Sequence, residues 1–423
     1  MKKQEDNELV RALSLKDAVG IGLGAMIGAG IFVVTGVAAG IAGPAFLAGL
    51  IIAGIIAMFN GLSSARLAAA YPQSGGTYEY GYILLNPAFG FSAGWMFLIS
   101  KLSAAGVVAA GFGSYFSQLV PAASPMTYSV LAVIFLTTAN YFGIKKAGTL
   151  NLVIVMLTLM SLLYFILSGI PEIKRENFIP FAPNGNLSIA ESSALLFFAF
   201  TGYARIATLA EEIKDPEKTI PKAVIITIAA SILLYAAVSV VMTGVSGTND
   251  ISGSRSPLQV TAGMLNAPFL RSVITAGAST AMLGVLLSQI LGISRMMLAM
   301  GRRTDLPGIF KKVHATYKIP HTGIIITGLI ILLLTIFGSF EFILGSAAFT
   351  ILLYYSITNL AALKQTVKEQ RIGKVIPVLG FIGCMLMSFA LPLMVIVTGF
   401  GLLAAGFVFR FLLRKLQLQD LTV

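Results

Sequence analysis

The sequence predicts an all-α integral membrane protein of twelve transmembrane helices, in which two five-helix repeats of inverted orientation are followed by two further helices. Three observations predict it: the composition, the spacing of apolar runs, and two runs interrupted by glycine near their middles. Of the 423 residues, 57% are hydrophobic and 11% charged, with a mean hydropathy of +0.89. A water-soluble domain could not cover so much apolar surface with polar groups. The net charge of +12 does not point to nucleic acid, because Lys and Arg stand in short clusters between apolar runs, as expected beside a membrane surface. The one cysteine, Cys384, excludes an internal disulfide and a Cys-based metal site and reads as a small packing residue. His314 and His321 lie in a basic loop without metal-ligand spacing and read as solvated. Neither a metal nor a cofactor is expected.

About twenty apolar residues cross the hydrocarbon core of a bilayer. Behind an N-terminal segment, 1–16, the first five runs are 17–40, 44–69, 86–118, 126–143 and 149–170, so that 17–170 forms the first repeat. A loop, 171–189, leads to the runs 190–210, 221–245, 270–300, 320–338 and 341–362, the second repeat over 190–362. The loop 363–374 is followed by two helices within 375–413, divided near Pro392, and by a tail, 414–423. The first run reads as a retained helix, not a cleaved signal, since eleven more follow and its flank mixes Glu and Asp with Lys. All Lys and Arg except Lys101, Lys174, Arg175, Arg205, Arg255 and Arg271 fall on one side of this arrangement. By the positive-inside rule that side is cytoplasmic and holds both termini. The expected location is the plasma or inner membrane.

The first run contains Gly22-Leu-Gly-Ala-Met-Ile-Gly-Ala-Gly-Ile-Phe32. Glycines at such spacing also let membrane helices approach closely, and Gly24 and Gly28 fit that pattern. A second interrupted run, Phe197-Phe-Ala-Phe-Thr-Gly-Tyr203, favours a different reading. It lies five helices later and enters from the opposite side, as an inverted repeat requires. Unwound backbone is tolerated in the bilayer core only where it is buried in protein or lines a polar cavity. The half-helix after Gly30 directs amides and a positive dipole end into the break, which suits a carboxylate. Carbonyls freed at the second break suit an ammonium group. Together they describe a cage for the zwitterionic part of an α-amino acid.

Four segments carry a family resemblance: GAMIGAGIF (24–32), PQSGGTYEYGY (72–82) with FGFSAGW (89–95), FFAFTGYARIATLAEEIKDPEKTIPKA (197–223) and SRMMLAMGRRTDLP (294–307). In type and order they resemble the motifs of the amino acid–polyamine–organocation (APC) transporter superfamily. The resemblance covers most of the chain and implies a LeuT-type fold and transport by alternating access. It places the carboxylate-binding segment on Ile27, Gly28, Ala29 and Gly30, and the amine-binding carbonyls on Phe198, Ala199 and Thr201. Phe198 also matches the aromatic residue that closes over substrate from outside. Glu211 and Glu212 match an acidic pair at the cytoplasmic end of the sixth span, read either as gate and scaffold or as a solvated helix end. The segment Pro72 to Tyr78 resembles the re-entrant loop on the same side.

Departures from the family pattern bear on substrate and coupling. Arginine- and polyamine-type members carry an acidic residue where this chain has Ala204, followed by Arg205. Proton-coupled members place a Lys at the position of Thr158, and the eighth span shows Leu283 and Gly284 where sodium-coupled members supply hydroxyls. Lys101 stands well inside the third span. An intramembrane charge is expensive enough to be a functional residue by default, either selecting an anionic or neutral substrate or carrying a proton. The alternative is a Lys that snorkels or pairs for structural reasons. The expected function is therefore a permease for neutral or acidic amino acids, proton-coupled or an exchanger. A cationic amino acid or polyamine antiporter is the alternative. An enzyme is not expected, because Glu79, Glu191 and Glu341, the deepest carboxylates by position, stand near run ends and unpaired. A channel or non-transporting receptor would lack saturable counterflow. The expected partners are an amino acid substrate and the bilayer, with protons and oligomeric state left open.

Overall fold

A computed structural model describes residues 12–71, 75–142, 147–208, 212–314, 316–365 and 373–419. Among them the regular structure is helical, with one isolated bridge between Leu13 and Ile213. Eight of the helical stretches are long and apolar enough to cross a membrane. This is an all-α, multi-pass membrane protein.

The first run is two helices, α1 (Leu15–Met26) and α2 (Thr35–Ala42), joined through a π-helical turn, Gly30–Val34. A capping box starts α1: the Ser14 hydroxyl accepts from Asp17 N, and the Asp17 carboxylate accepts from Ser14 N at 2.9 Å. After α3 (Phe46–Ala70), a short helix α4 (Thr77–Tyr80) and a second π-helical turn, Gly81–Leu85, lead into α5 (Pro87–Leu119). Asn86 caps α5 by accepting from Ala88 N and Phe89 N, with Pro87 in the first turn where no amide is needed. Then come α6 (Pro125–Phe142) and α7 (Ala147–Gly169).

The sixth run is also divided, into α8 (Gly185–Phe197), a tight 3-10 stretch over Phe198–Tyr203, and α9 (Ala204–Thr208). It is followed by α10 (Pro216–Ile251), a short helix α11 (Pro257–Met264), and α12 (Leu270–Arg302). The last four are α13 (His321–Phe337), α14 (Phe340–Leu363), α15 (Val375–Phe389) and α16 (Leu393–Gln419).

Packing sorts the helices into two groups. α3 and α10 pack on one another and on the divided spans, α3 against α8 and α10 against α1, while α5 packs chiefly on α12, α14 and α6. The first group meets the second mainly where α14 packs on α3 and α8 and where α1 touches α12, and side chains of α5 reach the divided segments. Lipid-facing positions such as Phe135, Met160, Leu233 and Leu386 are exposed and apolar, whereas Ser, Thr and Asn side chains point inward and bond the preceding turn.

Candidate functional site

Each break follows from local backbone. Ile27 is extended (φ −79°, ψ 102°), and its N–H closes α1 on the Leu23 carbonyl at 2.8 Å. The amides after it therefore begin a new helical segment without upstream carbonyls. A Cβ on Gly202 would lie 2.5 Å from the backbone C and O of Ala25 and N of Met26, and one on Gly30 would run into Cα and Cβ of Ala199. The divided spans thus cross backbone to backbone in antiparallel order, Ala25 opposite Gly202 and Gly30 opposite Ala199. Only residues without a side chain permit that approach.

Beside the crossing lies a cavity of about 810 Å³. Gly28, Ala29 and Gly30 line it from the first span, and Phe198, Ala199 and Thr201 from the second. α12 supplies the facing wall with Val285, Ser288 and Gln289. Of the residues expected at the site, Ile27 is buried but is not part of the lining, and neither is Thr158. The Thr158 hydroxyl instead bonds the Ile154 carbonyl at 2.8 Å and lies 3.5 Å from that of Gly277. Glu212 lines the cavity; Glu211 lies outside the described residues.

Lys101 reaches the crossing from α5. Its ammonium is 3.4 Å from the Thr201 hydroxyl and 6.0 Å from the centre of the Phe97 ring, and it lines the cavity. Among the described residues no carboxylate forms an ion pair with it. The Thr201 hydroxyl donates in turn to the Phe198 carbonyl at 3.0 Å. Arg205 lines the same cavity one turn beyond Thr201, facing Gly292 of α12.

The two ends of the cavity differ. Towards the end rich in Lys and Arg its lining extends to Glu79, Glu212, Arg302 and Arg303. At that end the strand-like segment at Leu13 pairs with the chain after α9: Leu13 N donates to Glu212 O and Lys214 N to Leu13 O, both at 2.9 Å. Towards the opposite end it is closed by the π-helical turn and α5. The Tyr115 hydroxyl donates to the Phe32 carbonyl at 2.7 Å, with the two rings edge to face at 5.9 Å. Outside that contact, Gly253 N donates to Gly36 O at 3.2 Å, which ties α2 to the loop before α11.

Two divided helices crossing beside a cavity lined by main chain agree with a family model for amino acid permeases that matches residues 13–415. The chain belongs to the amino acid permease family. An uncharacterized transporter of Mycobacterium tuberculosis is 38% identical over 405 residues, 95% of this chain and 90% of the relative. A branched-chain amino acid permease of Bacillus subtilis is 31% identical over 338 residues, 75% of this chain and 73% of its own. The methylthioribose transporter of the same organism is 32% identical over 351 residues, 78% and 75% of the two chains. These relatives and the family are transporters, not enzymes.

In this permease two polar features are not apparent from sequence. Tyr235 of α10, fully buried, donates from its hydroxyl to the Met26 carbonyl at 2.7 Å and lies 3.4 Å from that of Ala199, so it serves both breaks. No motif marks it, since a Tyr inside an apolar helix reads as core. The second corrects the ranking of deep carboxylates. Asp305, just past α12, is the fully buried one, accepting from the Tyr78 hydroxyl and Arg410 Nε at 2.9 and 2.8 Å and from the Tyr82 hydroxyl. Glu79 is paired with Arg303. Sequence distance hides both, as Asp305 follows two arginines in what reads as a solvated loop. His314 is likewise not simply solvated: its ring packs at 4.8 Å on Tyr317, and Nδ1 accepts from the backbone N–H of Thr316 and Tyr317.

Proposed function

We propose that this permease is a secondary carrier that moves neutral or acidic amino acids by alternating access. The observation that carries the reading is the antiparallel crossing of the two divided spans at a cavity reached by Lys101. On this reading the amides of Gly28, Ala29 and Gly30 hold the substrate carboxylate, and the carbonyls of Phe198, Ala199 and Thr201 hold its ammonium. The Phe198 carbonyl opens the 3-10 stretch and also accepts from the Thr201 hydroxyl at 3.0 Å, so on this reading a substrate ammonium would compete with that hydroxyl. The Lys101 ammonium stands beside the same turn without a carboxylate partner among the described residues, and Arg205 follows on the way out. A cationic side chain there would meet like charge in a poorly hydrated site, which costs several kcal/mol at close range. Neutral and acidic side chains avoid that cost.

A cavity whose lining extends to the Lys- and Arg-rich end is an inward-facing state when that end is cytoplasmic, as the positive-inside rule assigns it. The two helix groups would rock about the crossing, breaking the Tyr115 contact as the other mouth opens. Among the relatives, the branched-chain amino acid permease and the methylthioribose transporter take substrates without a cationic side chain and favour the same preference, whereas two Arabidopsis thaliana relatives at 29% and 26% identity are named cationic amino acid transporters and favour the alternative. The test is uptake and counterflow by purified, reconstituted protein with every amino acid, putrescine and methylthioribose. Saturable counterflow with neutral or acidic amino acids is expected. Counterflow with arginine or putrescine alone would overturn the substrate assignment, and non-saturating flux would overturn the carrier.

A further inference from the structure

At the Lys- and Arg-rich end of the cavity two carboxylates and three guanidinium groups share one cluster. Glu79 lines the mouth and is held by Arg303, whose Nε donates to it at 3.1 Å and whose other nitrogen makes a second contact. Behind them Asp305 is wholly buried and takes Arg410 Nε at 2.8 Å, with Arg414 at 3.6 Å. Arg410 and Arg414 belong to α16, the last helix. Arg410 is itself almost fully buried, donates to the Pro87 carbonyl at 3.0 Å and the Tyr82 hydroxyl at 2.7 Å, and stacks on Phe91 at 4.8 Å. Tyr78 and Tyr82 lie between the pairs: both donate to Asp305, and Arg303 covers the Tyr82 ring at 4.6 Å.

A buried carboxylate deprived of its cation is strongly penalised and recruits the nearest replacement. Here the replacement is Arg303, separated from Asp305 by one residue and by the tyrosine rings. Arg303 cannot neutralise both carboxylates at once with bidentate geometry. We propose that Arg410, with Arg414, is a positioning residue that saturates Asp305 and thereby leaves Arg303 on Glu79, so that the last helix keeps the cavity mouth free of uncompensated negative charge. The inference rests on reading the cavity as a transport path. Its consequence there is that a substrate carboxylate passes Glu79 without repulsion.

The test reads the charge of the mouth directly and needs no transported substrate. In a Cys384→Ala background, a single cysteine at Ser288, inside the cavity, is labelled with the anionic sulfonatoethyl and the cationic trimethylammonioethyl methanethiosulfonates. Arg410→Gln with Arg414→Gln is expected to lower the anionic-to-cationic rate ratio by about tenfold. The same two changes in a Glu79→Gln background are expected to lower it less than threefold, because the carboxylate that Arg303 covers is already gone, while Glu212 at the same end is unchanged in both backgrounds. Equal falls in both backgrounds would mean that the arginines act only through their own charge, and no fall in either would mean that Arg303 stays on Glu79. Each overturns the proposal. Should the double replacement fail to fold, Arg410→Gln alone carries the same comparison, with about a threefold fall expected. Failure of the carrier reading would show instead as an absence of counterflow with a normal labelling cycle.

Discussion

A glycine series tests whether the crossing of the two divided spans holds the site. At Gly202 an added Cβ would stand 2.5 Å from backbone atoms of Ala25 and Met26. Ordinary carbon contacts lie near 3.5–4.0 Å, so the two spans must separate by about 1 Å or more. Backbone cannot rotate away as a side chain does, which puts the cost at or above the upper end of the usual 1–3 kcal/mol for overpacking. A loss of about 3 kcal/mol from a site built between the spans corresponds to roughly a hundredfold in affinity. Gly30→Ala meets the backbone and Cβ of Ala199 and belongs in the same class. Gly28→Ala meets only a methyl of Val285 at 2.9 Å, a side chain that can shift, and should be intermediate. Gly284→Ala meets Ile154 at 3.6 Å, an ordinary contact, and should be neutral or slightly stabilising through helix propensity. The assay is thermal unfolding in detergent together with the Kd for the best substrate of the uptake panel. Equal Tm and Kd for Gly202→Ala and Gly284→Ala would refute the claim that the crossing shapes the site.

Tyr115→Phe removes the donor to the buried Phe32 carbonyl, a loss of about 1–3 kcal/mol felt only while that end is closed. Labelling of a Val108→Cys cavity thiol from the opposite face should accelerate about tenfold, and an unchanged rate would show that Tyr115 is not a latch. Lys101→Met should abolish acceleration of uptake by an inward proton gradient yet retain amino acid exchange, because exchange needs only the loaded carrier to reorient. An unaltered ratio of gradient-driven to exchange flux in reconstituted vesicles would remove Lys101 from coupling.

What the sequence made legible and what it hid divide along physical lines. Apolar run length is a one-dimensional property, so α5, with its Asn86 cap and Pro87 start, stands where composition and turn residues alone put it. The positions of the breaks were also legible, because glycine near the middle of an apolar run is a local signal, although the second break is a 3-10 stretch and not the unwound segment expected, and Lys101 declared itself by being a charge in an apolar run. Tyr235, Tyr115 and Asp305 were not legible. Each acts through a bond to a residue at least 80 positions away, to Met26, Phe32 and Arg410, and the local sequence around each is ordinary. Ile27 was placed at the site because it belongs to the motif, yet its extended backbone creates the break while its side chain turns into the core.

The same division explains how a neutral-looking site acquires direction. The glycine contacts fix the two breaks against one another within one helix group, whereas the hydrogen bonds that cross from α5 to the divided spans are few and specific: Tyr115 to Phe32 near the closed end and Lys101 to Thr201 at the crossing. A rocking motion must break contacts between the groups and can leave contacts within a group intact. The first is a neutral bond to a buried carbonyl, whose loss has a fixed cost. The second is a 3.4 Å contact from an ammonium to a hydroxyl, which a bound carboxylate or carbonyl can replace with a stronger charge-assisted bond. On the proposed reading, substrate stabilises the states in which Lys101 faces the cavity, since a ligand shifts a conformational equilibrium only through such differential contacts. On that reading substrate chemistry and helix motion meet at Lys101, and its replacement should alter coupling more than binding.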